Sequence, residues 1–472
     1  MNIQHKIGIA LLGAIAIAAT LPAQADWKSD VRDLINEGEF TSARAVIEAL
    51  PDRVKADEPY AIDSALKIMS RIEYDFSVTP DKGAAMVRER RPETTDAELD
   101  RWINDRYIEV KTIDGEQRWM RKAVRNLWLL NPDLVTVTAE DSVELSNYLE
   151  CIKKIKNTPA DANHCNNWQR ITLRFSFTVD ADAMPAGEQI HAWLPVPLAS
   201  QRQRNFRLID SNRPVIYSQS SPHHTVMMSA TAEAGKPTHF EITLSYETAA
   251  QWFSRQYLLD HLKPYNTSDP EYIKYTGSDG RHINITDDLR ELARDIVGGE
   301  DNPVYQSALI YDWIVGRYPW AGARDYGTIP DIPHYVIENA HGDCGQVALL
   351  YITMVRSLGI PARWESGWML HPWDKNWHDW AETYFEGIGW VPTDVSFGRN
   401  PNLTKRTFYK TGIDMYRYAT NSDYGCALDP VKRYLRCDPV DFQAGEAEWR
   451  GGNIEMTQFK SKLDVLSIEP IE

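Results

Sequence analysis

Three side chains between His341 and Gly398 could together do thiol chemistry on a carbonyl carbon: Cys344, His378 and Asp394. A thiolate attacks, an imidazole moves the proton, and a carboxylate orients the imidazole. Each lies in its own local pattern. Cys344 stands in His341-Gly342-Asp343-Cys344-Gly345-Gln346, and His378 in Trp377-His378-Asp379-Trp380-Ala381-Glu382. Asp394 closes Gly389-Trp390-Val391-Pro392-Thr393-Asp394.

The elements that must position them follow from spacing. Val347, Leu350, Met354 and Leu358 predict a helix over 345–358, ended by Gly359 and Pro361. Cys344 then stands at its amino terminus, where unpaired N–H groups and the macrodipole favour an anion and would lower the thiol pKa. The same N–H groups could receive an oxyanion. Gly342 and Gly345 allow a sharp bend and a close approach. Asp343 reads as a helix cap.

Beyond the helix, strands are expected over 362–369, 378–385 and 390–394, with a loop over 371–377 and a turn at Glu386-Gly387-Ile388-Gly389. His378, Trp380, Glu382 and Tyr384 share one strand face. A hairpin centred near Glu386 would set His378 opposite Asp394. Asp394 would then accept from one ring nitrogen while the other faces the thiolate. His334, His341 and His371 are rival bases in predicted loops, with no carboxylate placed to orient them. Trp320, Gln346, Trp373, Trp377 and Trp380 are candidate substrate contacts. Trp320, Tyr318 and Gln346 could serve the oxyanion, and Trp373 and Trp377 flank the loop into His378.

Composition narrows the setting. The 472 residues call for several domains, and the net charge of −16 with no basic stripe argues against nucleic acid. Lys6, the apolar run 7–21 and Pro22-Ala23-Gln24-Ala25 read as an export signal cut before Asp26. The run is too short to favour a stable membrane span. Five cysteines would then meet an oxidising compartment. Local pairing of Cys151 with Cys165 and of Cys426 with Cys437 leaves Cys344 free. Zinc-type and calcium-type ligand spacings are absent, so no metal or other cofactor is expected.

The pattern along the chain gives residues 1–25 as the signal, 26–167 as mostly helical and 168–263 as a β-sandwich of about seven strands. A catalytic core over 264–400 and a C-terminal extension over 401–472 follow. In the helical part, Thr95-Asp96-Ala97-Glu98 is a capping box and Asp114-Gly115 a hairpin turn. The overall class is α+β.

The motifs carry a family likeness. Gly342-Asp343-Cys344, Arg356-Ser357-Leu358-Gly359-Ile360-Pro361-Ala362-Arg363, His378-Asp379-Trp380-Ala381-Glu382 and Gly389-Trp390-Val391-Pro392-Thr393-Asp394 resemble the core of the transglutaminase-like superfamily over about 285–400. Trp193-Leu194-Pro195-Val196-Pro197 is similar to a strand end in the β-domain that often precedes this core in bacterial members. Ile113-Asp114-Gly115-Glu116 and Gly412-Ile413-Asp414-Met415-Tyr416-Arg417 are similar to segments of exported, multidomain bacterial members. The resemblance implies a papain-like core with Cys344 as nucleophile, His378 as base and Asp394 as orienting group.

The expected function is an exported, periplasmic or extracellular, cysteine hydrolase that cleaves peptide or isopeptide amide bonds through a thioester. Its partners would be peptide or protein substrates, with cell-wall and other external polymers among them. A protein-glutamine acyltransferase is the first alternative. A non-enzymatic binding protein on the same fold, working through its tryptophan-rich surface, is the second.

Overall fold

A computed structural model describes residues 26–136, 139–218 and 220–471. The proposed signal segment lies outside the described residues. The chain forms two compact units, one of residues up to 128 with 433–435, the other of 129–432 and 436 onward.

The first unit is helical, as the apolar spacing predicts. It holds α1 (Trp27–Glu37), α2 (Phe40–Glu48), α3 (Asp52–Asp57), α4 (Pro59–Asp75), α5 (Pro80–Arg90) and α6 (Asp96–Asn104). The capping box forms at α6: the Thr95 side chain accepts from the Glu98 N–H, and the Glu98 side chain accepts from the Thr95 N–H. β1 (Val110–Ile113) and β2 (Glu116–Trp119) make the expected hairpin. Its two turn residues, Asp114 and Gly115, both have positive φ, at 48° and 81°, which matches the twist of the flanking strands. α7 (Ala123–Leu130) follows.

The second unit opens with α8 (Ala139–Asn157) and continues with β3 (Cys165–Val179), β4 (Gln189–Pro195), β5 (Gln203–Ser211), β6 (Val215–Ser218), β7 (Thr225–Thr231) and β8 (Thr238–Trp252). Next come α9 (Arg255–His261), α10 (Pro270–Thr276), α11 (Asp287–Val297), α12 (Pro303–Arg317), α13 (Ile332–Asn339) and α14 (Cys344–Ser357). β9 (Ala362–His371), β10 (Asp374–Phe385), β11 (Gly389–Thr393), α15 (Val395–Gly398) and α16 (Leu403–Phe408) complete the core segment. The tail supplies β12 (Gly412–Ile413), β13 (Arg417–Asn421), β14 (Glu446–Trp449), β15 (Gly452–Ile454) and β16 (Phe459–Pro470).

The sandwich has two five-stranded sheets: β12-β8-β3-β16 with β5 on β8, and β15-β14-β4-β7-β6. Ile171, Leu173, Phe175 and Phe177 alternate inward from β3 and meet Ile190, Ala192 and Leu194 of β4 in one apolar core. The tail is therefore not a separate extension. β16 pairs with β3 along nearly its whole length, β14 with β4, and β12 with β8.

The core sheet runs β11-β10-β9-β13, antiparallel throughout. α14 packs on one of its faces. Val347, Leu350, Tyr351 and Met354 are fully buried with Trp364 of β9 and Ala381 of β10. The helix ends as the sequence predicts: Gly359 takes φ 81°, its N–H reaches Arg356 O at 2.9 Å, and the Ile360 N–H reaches Val355 O at 3.1 Å.

Two expectations need correction. The predicted loop over 371–377 is a tight hairpin, because β9 and β10 extend to pair Asp374 with His371. Neither expected disulfide forms; all five cysteines are free thiols. Cys151 lies 3.7 Å from the Met415 sulfur, in an apolar cluster with Phe408 and Tyr409. Cys165 starts β3, and its loop is closed by the Asp161 carboxylate, which accepts from the N–H groups of Asn163 and Cys165. The Cys426–Cys437 loop is tied by Arg436, which donates to Cys426 O and to Glu446.

Gly367 is where β9 meets both neighbours, pairing with His378 on one side and Ala419 on the other. A Cβ there would lie 1.9 Å from Tyr418 O, a backbone atom that cannot give way. Gly367→Ala is expected to cost roughly 2–4 kcal/mol, as overpacking against backbone does, read as a lower urea midpoint. Wild-type stability would refute this tight β9–β13 contact.

Candidate active site

Cys344 is the first residue of α14. Asp343 and Gln346 form a reciprocal cap: the Gln346 N–H donates to Asp343 Oδ1 and the Asp343 N–H donates to Gln346 Oε1, both at 3.1 Å. Asp343 thus caps, as expected. Its carboxylate also accepts from the Tyr326 hydroxyl. Arg399 fixes the loop before the helix by donating to Gly342 O at 2.6 Å and Asp343 O at 2.7 Å. Gly345 is required by crowding, because a Cβ there would meet Asp379 Oδ2 at 2.7 Å and the Tyr326 hydroxyl at 2.6 Å.

The hairpin of β10 and β11 pairs Phe385 with Gly389 and Ala381 with Thr393. It is centred on Gly387 rather than Glu386, so Asp394 comes opposite Trp380 and diagonal to His378. The shift is by two residues, which keeps the face. His378 Nε2 donates to Asp394 Oδ2 at 2.7 Å, and both side chains are buried. With Nε2 protonated, the neutral ring carries its lone pair on Nδ1. Phe397 lies 4.5 Å from the ring, and Trp380 stacks at 6.1 Å and 24°.

The thiol does not meet His378. Cys344 Sγ donates to Asp379 Oδ2 at 3.3 Å. Strand alternation explains this. Asp379, Ala381 and Thr383 face α14, where Thr383 also meets the Tyr351 hydroxyl at 2.8 Å. His378, Trp380 and Glu382 face the other way, where Arg202 bridges Glu382 and Glu365. The expected depression of the thiol pKa is reversed. Burial and the carboxylates of Asp379 and Asp343 push the Cys344 thiol well up. Burial and the nearby Asp343 carboxylate likewise hold the Asp379 carboxyl well above its ordinary value. Gln443 Nε2 steadies Asp379, donating to its Oδ1 at 2.6 Å.

Burial pushes His378 below the ordinary imidazole pKa, against the pull of Asp394. Asp394 goes down, because the His378 Nε2–H, the Arg417 cation and the Phe397 N–H outweigh its burial.

The remaining candidates divide. Trp320 bridges to Gly342 beside the cysteine loop. Gln346 is buried, and its Nε2 has no partner among the described residues. Trp380 lies under His378 and donates to Glu365 at 2.5 Å. Trp373 belongs elsewhere, edge-on to Tyr148 at 5.5 Å. Trp377 is 41% exposed and packs on Trp368. Trp373 stands at the turn of the β9–β10 hairpin and Trp377 within β10. Of the rival bases, His334 lies 3.0 Å from both Asp288 and Asp331, and His371 lies 3.0 Å from Asp414, so two do have carboxylates. His341 meets the Asn339 carbonyl oxygen and the Tyr335 ring, with no carboxylate partner among the described residues. Sequence reasoning missed Asp379, Gln443, Arg399 and Arg417. The signal for Asp379 was a carboxylate on the helix-facing side of a core strand.

Residues 290–395 match the family model described as the transglutaminase-like superfamily. That core of this chain is transglutaminase-like. Among curated proteins, the chain is 26% identical over 148 residues to YebA of Bacillus subtilis, uncharacterized, covering 26% of this chain and 20% of YebA. It is 24% identical over 259 residues to an uncharacterized protein of Haemophilus influenzae, covering 47% of this chain and 68% of the relative. The match thus spans about a fifth of YebA. A candidate cysteine protease from Cytophaga hutchinsonii aligns with TM-score 0.44 and 16% identity, over 65% of this chain and 95% of that one. The periplasmic domain of TgpA from Pseudomonas aeruginosa aligns with TM-score 0.24 and 15% identity, over 52% of this chain and 94% of that one. Among the described residues, no helix is long and apolar enough to cross a membrane.

Asp379 raises the thiol pKa, so removing its charge should lower it. Asp379→Asn is expected to move the pH midpoint of Cys344 alkylation by iodoacetamide downward, and each unit is about tenfold more thiolate at a fixed pH below it. An unchanged or higher midpoint would refute the assigned role of Asp379.

Proposed function

We propose that Cys344, His378 and Asp394 act as a catalytic triad in an exported thiol hydrolase that cleaves amide bonds of peptides or isopeptides. The observation that carries this reading is the buried 2.7 Å bond between His378 and Asp394, on the strand beside the helix that begins at Cys344. A neutral imidazole held in one tautomer is the base that an acyl transfer to sulfur needs. In the resting site the thiol is protonated against Asp379. The reaction requires the thiol to leave Asp379 and meet His378 Nδ1, a movement past the strand edge, because the two partners lie on opposite faces of β10 at rest. Sγ then attacks the carbonyl carbon and its proton passes to His378. The proton goes on to the leaving amine as the C–N bond breaks, and water resolves the thioester to a carboxylic acid and free thiol.

A second reading, acyl transfer to an amine, is favoured by Asp379 lying 3.3 Å from the sulfur. A carboxylate so placed can bind an ammonium group and take its proton. The two readings share every step up to the thioester and differ only in what resolves it.

Intact mass after incubation with peptide libraries, with and without amine donors, separates them. Hydrolysis adds water across a cleaved bond, and transfer adds the amine in place of ammonia. Cys344→Ala is expected to abolish turnover, and Asp394→Asn to reduce kcat by about 10⁴, as loss of an orienting carboxylate does. Equal turnover in wild type and Cys344→Ala would remove the enzyme reading in favour of a binding protein.

A further inference from the structure

The segment Gly412-Ile413-Asp414-Met415-Tyr416-Arg417 has no part in the triad, yet it ends against it. Arg417 Nη2 lies 3.2 Å from Asp394 Oδ2, the oxygen that receives His378 Nε2–H. The same Nη2 lies 2.8 Å from Asp414 Oδ2, and Arg417 Nε reaches that oxygen at 3.2 Å. Arg417 is 1% exposed, and both carboxylates are fully buried. Its guanidinium also lies over Phe397 at 4.7 Å and over Trp380 at 5.3 Å, the two rings that flank His378. Asp414 is itself held by the Tyr409 hydroxyl and by the Tyr416 N–H, each at 3.0 Å.

We infer that Arg417 is a positioning residue for the histidine: clamped by Asp414, it fixes the Asp394 carboxylate in the orientation that receives His378 Nε2–H. A buried carboxylate with one donor could turn or take up a proton. With a guanidinium on one side and the Phe397 N–H at 3.0 Å on its other oxygen, it can do neither cheaply. Asp394 is accordingly held below its ordinary pKa, and Arg417 above its own by Asp414 and Asp394. Other charged or titratable groups face this cluster. His371 lies beyond Asp414, and Lys405 sits over Phe397 at 4.8 Å. The Tyr311 hydroxyl reaches Asp394 O at 3.5 Å, and Arg399 lies within electrostatic reach of Asp394.

The role rests on His378 being the base, so the test avoids turnover. Full-length protein with ¹⁵N-labelled histidine is titrated by NMR, with His378→Gln identifying the resonance. Arg417 lowers the imidazole pKa and Asp414 raises it. Arg417→Gln should therefore move the His378 midpoint up, by about one unit for a buried charge at this range, and should mix the two neutral tautomers. Arg417→Lys should keep the midpoint near wild type. Asp414→Asn should move it down, which gives a second reading of opposite sign should Arg417→Gln fail to fold. A midpoint and a pure Nε2–H tautomer unmoved in either folded variant would overturn the inference, since a merely structural role would change only the melting temperature. Failure of the triad reading would show separately, as unaltered turnover in Cys344→Ala.

Discussion

The core sheet is held on one face by charge. Glu382 and Glu365 turn away from α14 and meet the buried Arg202, Glu382 also pairs with the partly exposed Arg363, and His378 meets Asp394, which Arg417 holds. Burying so many ions is favourable only when each has a partner, and removing one partner from such a group typically costs about 3–5 kcal/mol. That constraint ties three separate stretches of chain together. Arg202 comes from the sandwich segment, Arg363 from β9, and Arg417 from the tail. The imidazole assigned as the base is one member of this polar layer, so its surroundings are set by the same pairing that joins the sandwich to the core.

The opposite face follows a different rule. Val347, Leu350, Tyr351 and Met354 press an apolar helix onto Trp364 and Ala381, and the buried Asp379 carboxyl lies at the end of that helix beside Cys344. Because neighbouring residues of a strand point to opposite faces, His378 and Asp379 divide the two environments between them. One strand thus offers an imidazole to the polar layer and a carboxyl to the thiol. The resting thiol is the less reactive for it.

Much of this was legible in the sequence. The start and stop of α14, the capping role of Asp343, and the shared face of His378, Trp380 and Glu382 follow from periodicity and turn chemistry alone. The pairing of His378 with Asp394 survived a two-residue slip in register because an even shift preserves the face. What could not be read was what depends on distant chain. Arg417 reaches Asp394 only because β13 pairs with β9, and Gln443 reaches Asp379 from beyond β13. The direction of the Cys344 pKa was misjudged for the same reason. The helix terminus is visible in the sequence, while the carboxylates around it are gathered by the fold. The disulfides were inferred from compartment and spacing, but Cys151 and Cys165 went to different partners once α8 and β3 had packed.

The pairing of β16 with β3 also bears on the order in which this protein can assemble. β3 emerges early in synthesis and β16 last, with the whole transglutaminase-like core made between them. Until the final strand arrives, one edge of the sandwich carries a long row of open N–H and C=O groups. The core is therefore synthesised from end to end inside a scaffold that is still unfinished. A nascent chain stalled between Asp394 and Phe459 would hold a complete set of Cys344, His378 and Asp394 on a sandwich that cannot close.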